Sequence, residues 1–227
     1  MWCLMFGKAR NMRLITGYPK EFATESLVEN FYAGFPTTGP SDFFTPYFES
    51  HRILTTRFHT ENVTDNFTTG VATAFYNGGR NKVIILPDLL KPPVFIHGGP
   101  AAINYGGLGQ AVAHEMMHGF DVGNIEFSYQ NSKRDLQRTW TMREYNKKVL
   151  CLRASYQRAE THSRARTLDE HIDSEGFADF AGVLLAYEAY RRLPDHVLSR
   201  AVPHVGLNAD QLFFVFHCLK WCSTTSE

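Results

Sequence analysis

An α+β chain, mostly helical with one small sheet toward its amino end, is the architecture that this 227-residue sequence predicts. A stretch with helical apolar spacing, 105–120, and a helix bounded by its start and stop signals, 167–193, carry most of that reading. A charged helical segment over 128–166 lies between them. Strand-like runs are short and confined to 53–59, 71–76 and 82–86.

Taken in order, residues 20–50 read as a helix followed by a loop, with Gly34, Pro36, Gly39 and Pro40 as breakers. The aromatic residues in 29–32 and 42–48 read as helix-packing groups rather than a binding surface. In 128–166, Trp140 and Tyr145 are the candidates to point inward. Thr167 with Glu170 three residues on is a capping-box signature, and the helix it opens runs to about Leu193, where Pro194 stops it.

Composition narrows the function classes. Lysine plus arginine equals aspartate plus glutamate, 23 each, and no basic stripe stands out, so nucleic acid is not an expected partner. No run approaches the length of a transmembrane helix. Residues 1–6 are apolar but too short for a signal core, and Lys8 and Arg10 follow at once. Cys3, Cys151, Cys218 and Cys222 lack zinc-ribbon spacing and read as disulfide partners or free thiols. Two sequons begin at Asn62 and Asn66.

The stretch carrying most chemistry is His114-Glu115-Met116-Met117-His118, an H-E-x-x-H pattern. Histidines four apart share one helix face and reach one metal ion without bending the backbone. Glu115 is then placed to act on a water rather than on the metal. Around the pattern, Leu108, Ala111, Val112, Met116, Met117 and Phe120 keep close to a helical period. Imidazoles and a carboxylate on such a helix need partners, and a metal supplies one. The pattern points to a zinc hydrolase, foremost a peptidase.

Catalytic zinc takes three protein ligands and leaves a fourth position open. On the helix after Thr167, Glu175 and Asp179 are four apart and share a face. One of them binds the metal in this reading, and the other accepts the free N–H of a zinc-binding histidine. Asp169, Glu170 and Asp173 compete for the ligand role. Asp121, three residues after His118, is placed to turn back onto it once Gly119 ends the helix. Small residues at Ala178, Gly182 and Ala186 allow a close helix–helix approach.

These blocks resemble the neprilysin and endothelin-converting-enzyme family of zinc metallopeptidases. The resemblance rests on Thr73-Ala74-Phe75-Tyr76-Asn77, on Lys82 to Pro87, and on Leu90-Lys91-Pro92-Pro93-Val94-Phe95. Asn104-Tyr105-Gly106-Gly107, His114 to Asp121, Glu175 to Gly182, Asp210 to Phe214 and Trp221-Cys222 extend it, so it runs from about residue 70 to the end. A weaker match covers Ile15 to Pro19. It implies a thermolysin-like zincin catalytic fold with a small edge sheet. It implies one zinc ion per chain, held by His114, His118 and Glu175, with Glu115 as the catalytic base. Asp121 and Asp179 would orient the two histidines. Peptide substrates would be cleaved before a large apolar residue, with Thr73, Ala74, Leu89, Val94 and Trp221 at the substrate. The family is extracellular, secreted or anchored by an amino-terminal helix, and the sequons fit that placement.

Departures from the family pattern shape further expectations. Thr73 replaces a substrate-binding asparagine, although the Ala74 backbone can still pair with an extended peptide. Gln110 and Ala111 replace larger apolar residues at the substrate pocket, and Gly176 should loosen its helix slightly. The family's Asp-x-His run and following arginine, which stabilise the oxyanion, are not found before Glu227. The expected layout is therefore a partial helical segment, 1–69, leading into a catalytic domain, 70–227, truncated at its carboxyl end. The rival to an active peptidase is a catalytically impaired zinc- or peptide-binding fragment. Cysteines 151 and 222 would lack the partners that the family gives them.

Overall fold

A computed structural model of the chain describes residues 2–18, 22–36, 43–60, 72–127, 140–157, 170–198, 206–220 and 222. It forms two units, Met1–Thr16 with Val71–Glu227, and Gly17–Gly70. The first sixteen residues, expected in the leading segment, thus pack with the later part of the chain.

In the larger unit, helix α1 (Trp2–Arg10) leads into strand β1 (Arg13–Thr16). Strands β2 (Ala74–Asn77) and β3 (Lys82–Ile85) complete a sheet of order β1-β3-β2. The β3 core, Val83, Ile84 and Ile85, is fully buried, as suits a β-branched run at the centre of a sheet. β1 pairs parallel to it, with Arg13 opposite Lys82, and β2 pairs antiparallel, with Ala74 opposite Ile85. β2 is therefore an edge strand among the described residues. The β2–β3 connection is tight: Asn77 accepts from Arg80 N at 3.1 Å, and Asn81 adopts φ 50°, which asparagine tolerates better than most residues.

Helix α4 (Ala101–Asn104) continues through a wider turn, Tyr105–Gly109, into α5 (Gln110–His118). Then follow α6 (Trp140–Gln157), α7 (Glu170–Arg191), α8 (Asp195–Leu198) and α9 (Ala209–Leu219). α7 lies directly on α5. A Cβ at Gly182 would stand 2.8 Å from both Cα and N of His114, so only glycine allows this approach. Ala178 and Ala186, on the same face, are buried. α9 starts at a capping box formed by Asn208 and Gln211. It presses the Phe213 backbone onto Gly106, where a side chain would collide with the Phe213 carbonyl. One apolar cluster joins Ala113, Ala186, Tyr190, Leu212 and Phe213, and a second joins Val83, Ile85 and Leu89.

In the smaller unit, α2 (Glu25–Tyr32) and α3 (Phe44–Thr60) are helices. The strand expected at 53–59 is wrong: those residues continue α3. Ile53, Thr55, Thr56 and Phe58 favour a strand locally, but one-turn pairs hold the helix. Arg52 donates to Glu49 at 2.6 Å, and Thr56 donates to the Arg52 carbonyl at 2.9 Å. Arg57 lies over the rings of Phe31 and Phe35 and donates to the Phe31 and Ala33 carbonyls. Phe43, Phe44, Tyr47 and Phe48, expected to pack inward, are exposed and contact one another.

Elsewhere the elements sit near their expected places, except that 44–50, expected in a loop, begin α3. β2 begins a few residues later than the 71–76 run, β3 matches 82–86 closely, and β1 was not foreseen as a strand. α6 occupies the middle of 128–166, and Tyr145 donates to the Phe120 carbonyl at 2.9 Å. The Trp140 side chain, the cap at Thr167 and both sequons lie outside the described residues. Among the described residues no helix is long and apolar enough to cross a membrane. Cys151, Cys218 and Cys222 are free and exposed.

Candidate metal centre

One turn of α5 separates His114 from His118 and sets their rings edge to face, 4.7 Å between centroids. Their Nε2 atoms are 3.0 Å apart. Donor atoms of His114, Glu115 and His118 lie within 4.8 Å of one another. From α7, the Glu175 carboxylate reaches 3.4 Å from His114 Nε2 and 3.6 Å from His118 Nε2. Glu115 is more distant, 4.0 Å from His114 Nε2. These groups border a cavity of about 460 Å³ whose far wall is the edge strand β2, through Ala74, Phe75 and Tyr76.

Both rings are held from behind. His118 Nδ1 donates to Asp121 Oδ2 at 2.9 Å, and His114 Nδ1 donates to Asp179 Oδ1 at 2.9 Å. A carboxylate only accepts, so each Nδ1 carries a proton, which in the neutral ring leaves the Nε2 lone pair facing the cavity. α5 ends at Gly119, and the chain turns so that Asp121 comes back beneath His118. The free oxygen of Asp121, Oδ1, accepts from Gly123 N at 3.0 Å, Asn124 N at 2.8 Å and Asn124 Nδ2 at 3.1 Å. The Ser174 hydroxyl donates to Oδ2.

The electrostatics follow from burial and crowding of carboxylates. Burial pushes the Glu115 carboxyl above the usual range and Glu175 adds to that, against the two histidines and a hydrogen bond from the Tyr76 backbone. Burial disfavours protonation of His118, but the Asp121 hydrogen bond and the surrounding carboxylates outweigh it and raise its pKa. For Asp179 burial is likewise outweighed, by His114 and by Lys220 and His217, and its carboxyl is lowered. Burial brings the Lys220 amine down to about 8, against the pull of Asp179 and Glu115.

This donor set suits zinc. With both rings neutral, two Nε2 lone pairs face each other at 3.0 Å beside a carboxylate, an arrangement that a metal cation would join. Ligands about 2.0–2.1 Å from a tetrahedral zinc are about 3.3 Å apart, close to the spacings seen. Among the sequence competitors, Asp173 is taken: it forms a buried ion pair with Arg153 of α6, whose Nε donates at 2.7 Å. The Glu170 side chain and Asp169 lie outside the described residues.

The substrate candidates divide. Ala74 lines the cavity. Thr73 precedes it, and its carbonyl accepts from Leu86 N at 3.1 Å. Leu89 and Val94 pack with Val83, Ile85 and Met116 in the apolar cluster, and are not among the residues that line the cavity. Trp221 lies outside the described residues. Ser174, Asn124 and Lys220 were not anticipated. Ser174 directly precedes Glu175, but its partner Asp121 is distant in sequence and only the fold joins them.

A mostly helical fold with a small sheet, two histidines from α5 and a glutamate from α7 define a zincin-type metallopeptidase arrangement. The chain belongs to peptidase family M13, whose profile matches residues 73–227. It is 32% identical to neprilysin of Oryctolagus cuniculus over 171 residues, covering 70% of this chain and 22% of that protein. It is 26% identical to neprilysin-1 of Caenorhabditis elegans over 226 residues, covering 95% of this chain and 30% of that one. The zinc metalloprotease of Mycobacterium tuberculosis, solved with an inhibitor, shares the fold with a TM-score of 0.68 at 21% identity, over 96% of this chain and 34% of that one. The chain thus spans between a fifth and a third of the length of these curated relatives.

Proposed function

We propose that this chain is the zinc-holding part of a metalloendopeptidase that hydrolyses peptide bonds, with His114, His118 and Glu175 as the ligands of one zinc ion. The convergence of two lone-pair Nε2 atoms and the Glu175 carboxylate on one point carries this reading. Zinc, when bound, polarises the scissile carbonyl and lowers the pKa of water.

The chain's own groups do the rest. Asp121 and Asp179 hold the Nδ1 protons, which fixes tautomer and ring angle. Glu115 sits at the cavity wall with its carboxyl pushed up by burial. A raised pKa suits a carboxylate that takes a proton from water and passes it to the leaving amine nitrogen. The edge of β2, unpaired among the described residues, offers the Ala74 backbone to an extended peptide, which would lie along the cavity as an added strand. Cleavage before a large apolar residue is the preference that the family resemblance assigns. An extracellular setting is supported by that resemblance and by the sequons at Asn62 and Asn66.

The test is cleavage of a fluorogenic peptide with an apolar residue after the scissile bond, run beside Glu115→Gln. Activity is expected to vanish with a chelator and to fall about 100-fold or more in the variant. One zinc bound per chain without turnover would favour a zinc- or peptide-binding chain. No zinc at all would overturn the reading.

A further inference from the structure

We propose that Lys8 is a positioning residue of the metal centre: its ammonium group fixes the Asp121–Asn124 turn through the Asn124 carbonyl, and so holds the His118 ring with Nε2 aimed at Nε2 of His114. The proposal rests on the zinc reading above and extends it to helix α1, which carries none of the candidate ligands.

Lys8 is only 2% exposed, an unusual position for a lysine. Its Nζ donates to the Asn124 carbonyl at 2.8 Å. Asn124 is thereby gripped from two sides, because its own N and Nδ2 both donate to Asp121 Oδ1. The other oxygen of Asp121 takes the Nδ1 proton of His118. Three consecutive links therefore run from a buried cation to a ring that faces the cavity. Asp121 is itself 1% exposed, and a buried carboxylate needs both donors and a nearby positive charge. The Lys8 amine supplies that charge: burial brings it down to about 8, Asp121 pulls the other way, and it stays protonated at neutral pH.

The placement of Lys8 is also built. Asn81, in its left-handed turn, donates from Nδ2 to the Lys8 carbonyl at 2.9 Å and accepts from the Tyr76 hydroxyl at 2.9 Å. The Lys8 ammonium stands 5.8 Å from the centre of the Tyr76 ring. Gly78, in the same turn, leaves room for Asn124 Oδ1, which a side chain there would strike. The β2–β3 connection thus holds both ends of the contact, Lys8 on one side and Asn124 on the other.

The test uses Lys8→Met, which keeps the aliphatic stem and removes the ammonium, with Asp121→Asn beside it. Zinc affinity is read on the whole chain by competition with a chromogenic chelator, and folding by circular dichroism. Lys8→Met is expected to stay folded and to bind zinc about tenfold more weakly. Peptide turnover by Lys8→Met should recover at saturating zinc, which a general loss of structure would not allow. Unchanged zinc affinity in folded Lys8→Met, with Asp121→Asn impaired, would overturn the proposal alone. Absence of zinc binding by the unsubstituted chain would overturn the metal reading and the proposal with it. Should Lys8→Met fail to fold, Lys8→Leu, which also lacks the ammonium donor, takes its place in the same assay. Failure of both to fold would make Lys8 a framework residue and overturn its positioning role.

Discussion

Asp121 and Asp179 each hold one histidine at 2.9 Å, yet the Asp121 side chain is 2% exposed while that of Asp179 is 42% exposed. Asp121 sits in a turn immediately after α5 and is fastened by backbone amides, Asn124 and Ser174, with Lys8 behind it. Asp179 comes from α7, and the basic groups near it, Lys220 and His217, lie at the carboxyl end of α9 or just beyond it. The His118 side is a closed network made by one local turn. The His114 side is a meeting of three helices, open to water. A ring held by a closed network has one orientation, whereas a ring held across helices depends on how those helices stay packed.

The contrast predicts unequal losses. Asp121→Ala strands three backbone or amide donors, the Ser174 hydroxyl and the His118 proton in a buried place. It should weaken zinc binding about 100-fold and cost about 3 kcal/mol of stability. Asp179→Ala leaves water able to replace the carboxylate. It should weaken zinc binding about tenfold and cost under about 1 kcal/mol. Chelator competition and denaturant titration on both variants measure the gap. Equal losses would mean that the network around Asp121 adds nothing to the hold on His118.

The same contrast explains what could be read from the sequence. His114, Glu115, His118 and Asp121 fall within one helix and the turn after it, so spacing alone brings them together. Choosing Glu175 over its acidic neighbours needed the family resemblance, because what removes Asp173 from the competition is Arg153, on another helix. Lys8 was invisible for a similar reason. Its segment pairs with β3 through four residues, of which Arg13, Leu14 and Thr16 are exposed, and no hydrophobic alternation marks such a strand. The misread strand at 53–59 shows the opposite failure, where local β-propensity lost to helical side-chain pairs.

Smaller effects test whether the α5–α7 contact supports the open side. Gly182→Ala puts a methyl group 2.8 Å from the His114 backbone, and should cost about 1–3 kcal/mol and weaken zinc binding with it. Gly176→Ala, on the same helix, meets only the edge of the Tyr156 ring at 3.5 Å, and should stabilise by about 0.5–1 kcal/mol through helix propensity. Thermal melts of both variants give opposite signs if close approach, rather than glycine content, governs this helix. Stabilisation by Gly182→Ala would show that α5 and α7 do not need their spacing.

Gln110 offers the finest probe, because it stands one turn before His114 and both its amide atoms are buried without a hydrogen-bond partner among the described residues. Replacing it by methionine keeps the length and removes two unmet polar groups, so stability should rise by about 1–2 kcal/mol. Zinc affinity should not change, since neither amide atom bonds to His114 or Asp179. A melting temperature lowered by Gln110→Met would show that the amide is bonded in solution. The surroundings of His114 would then be as tightly fastened as those of His118, and the contrast between the two sides would fail.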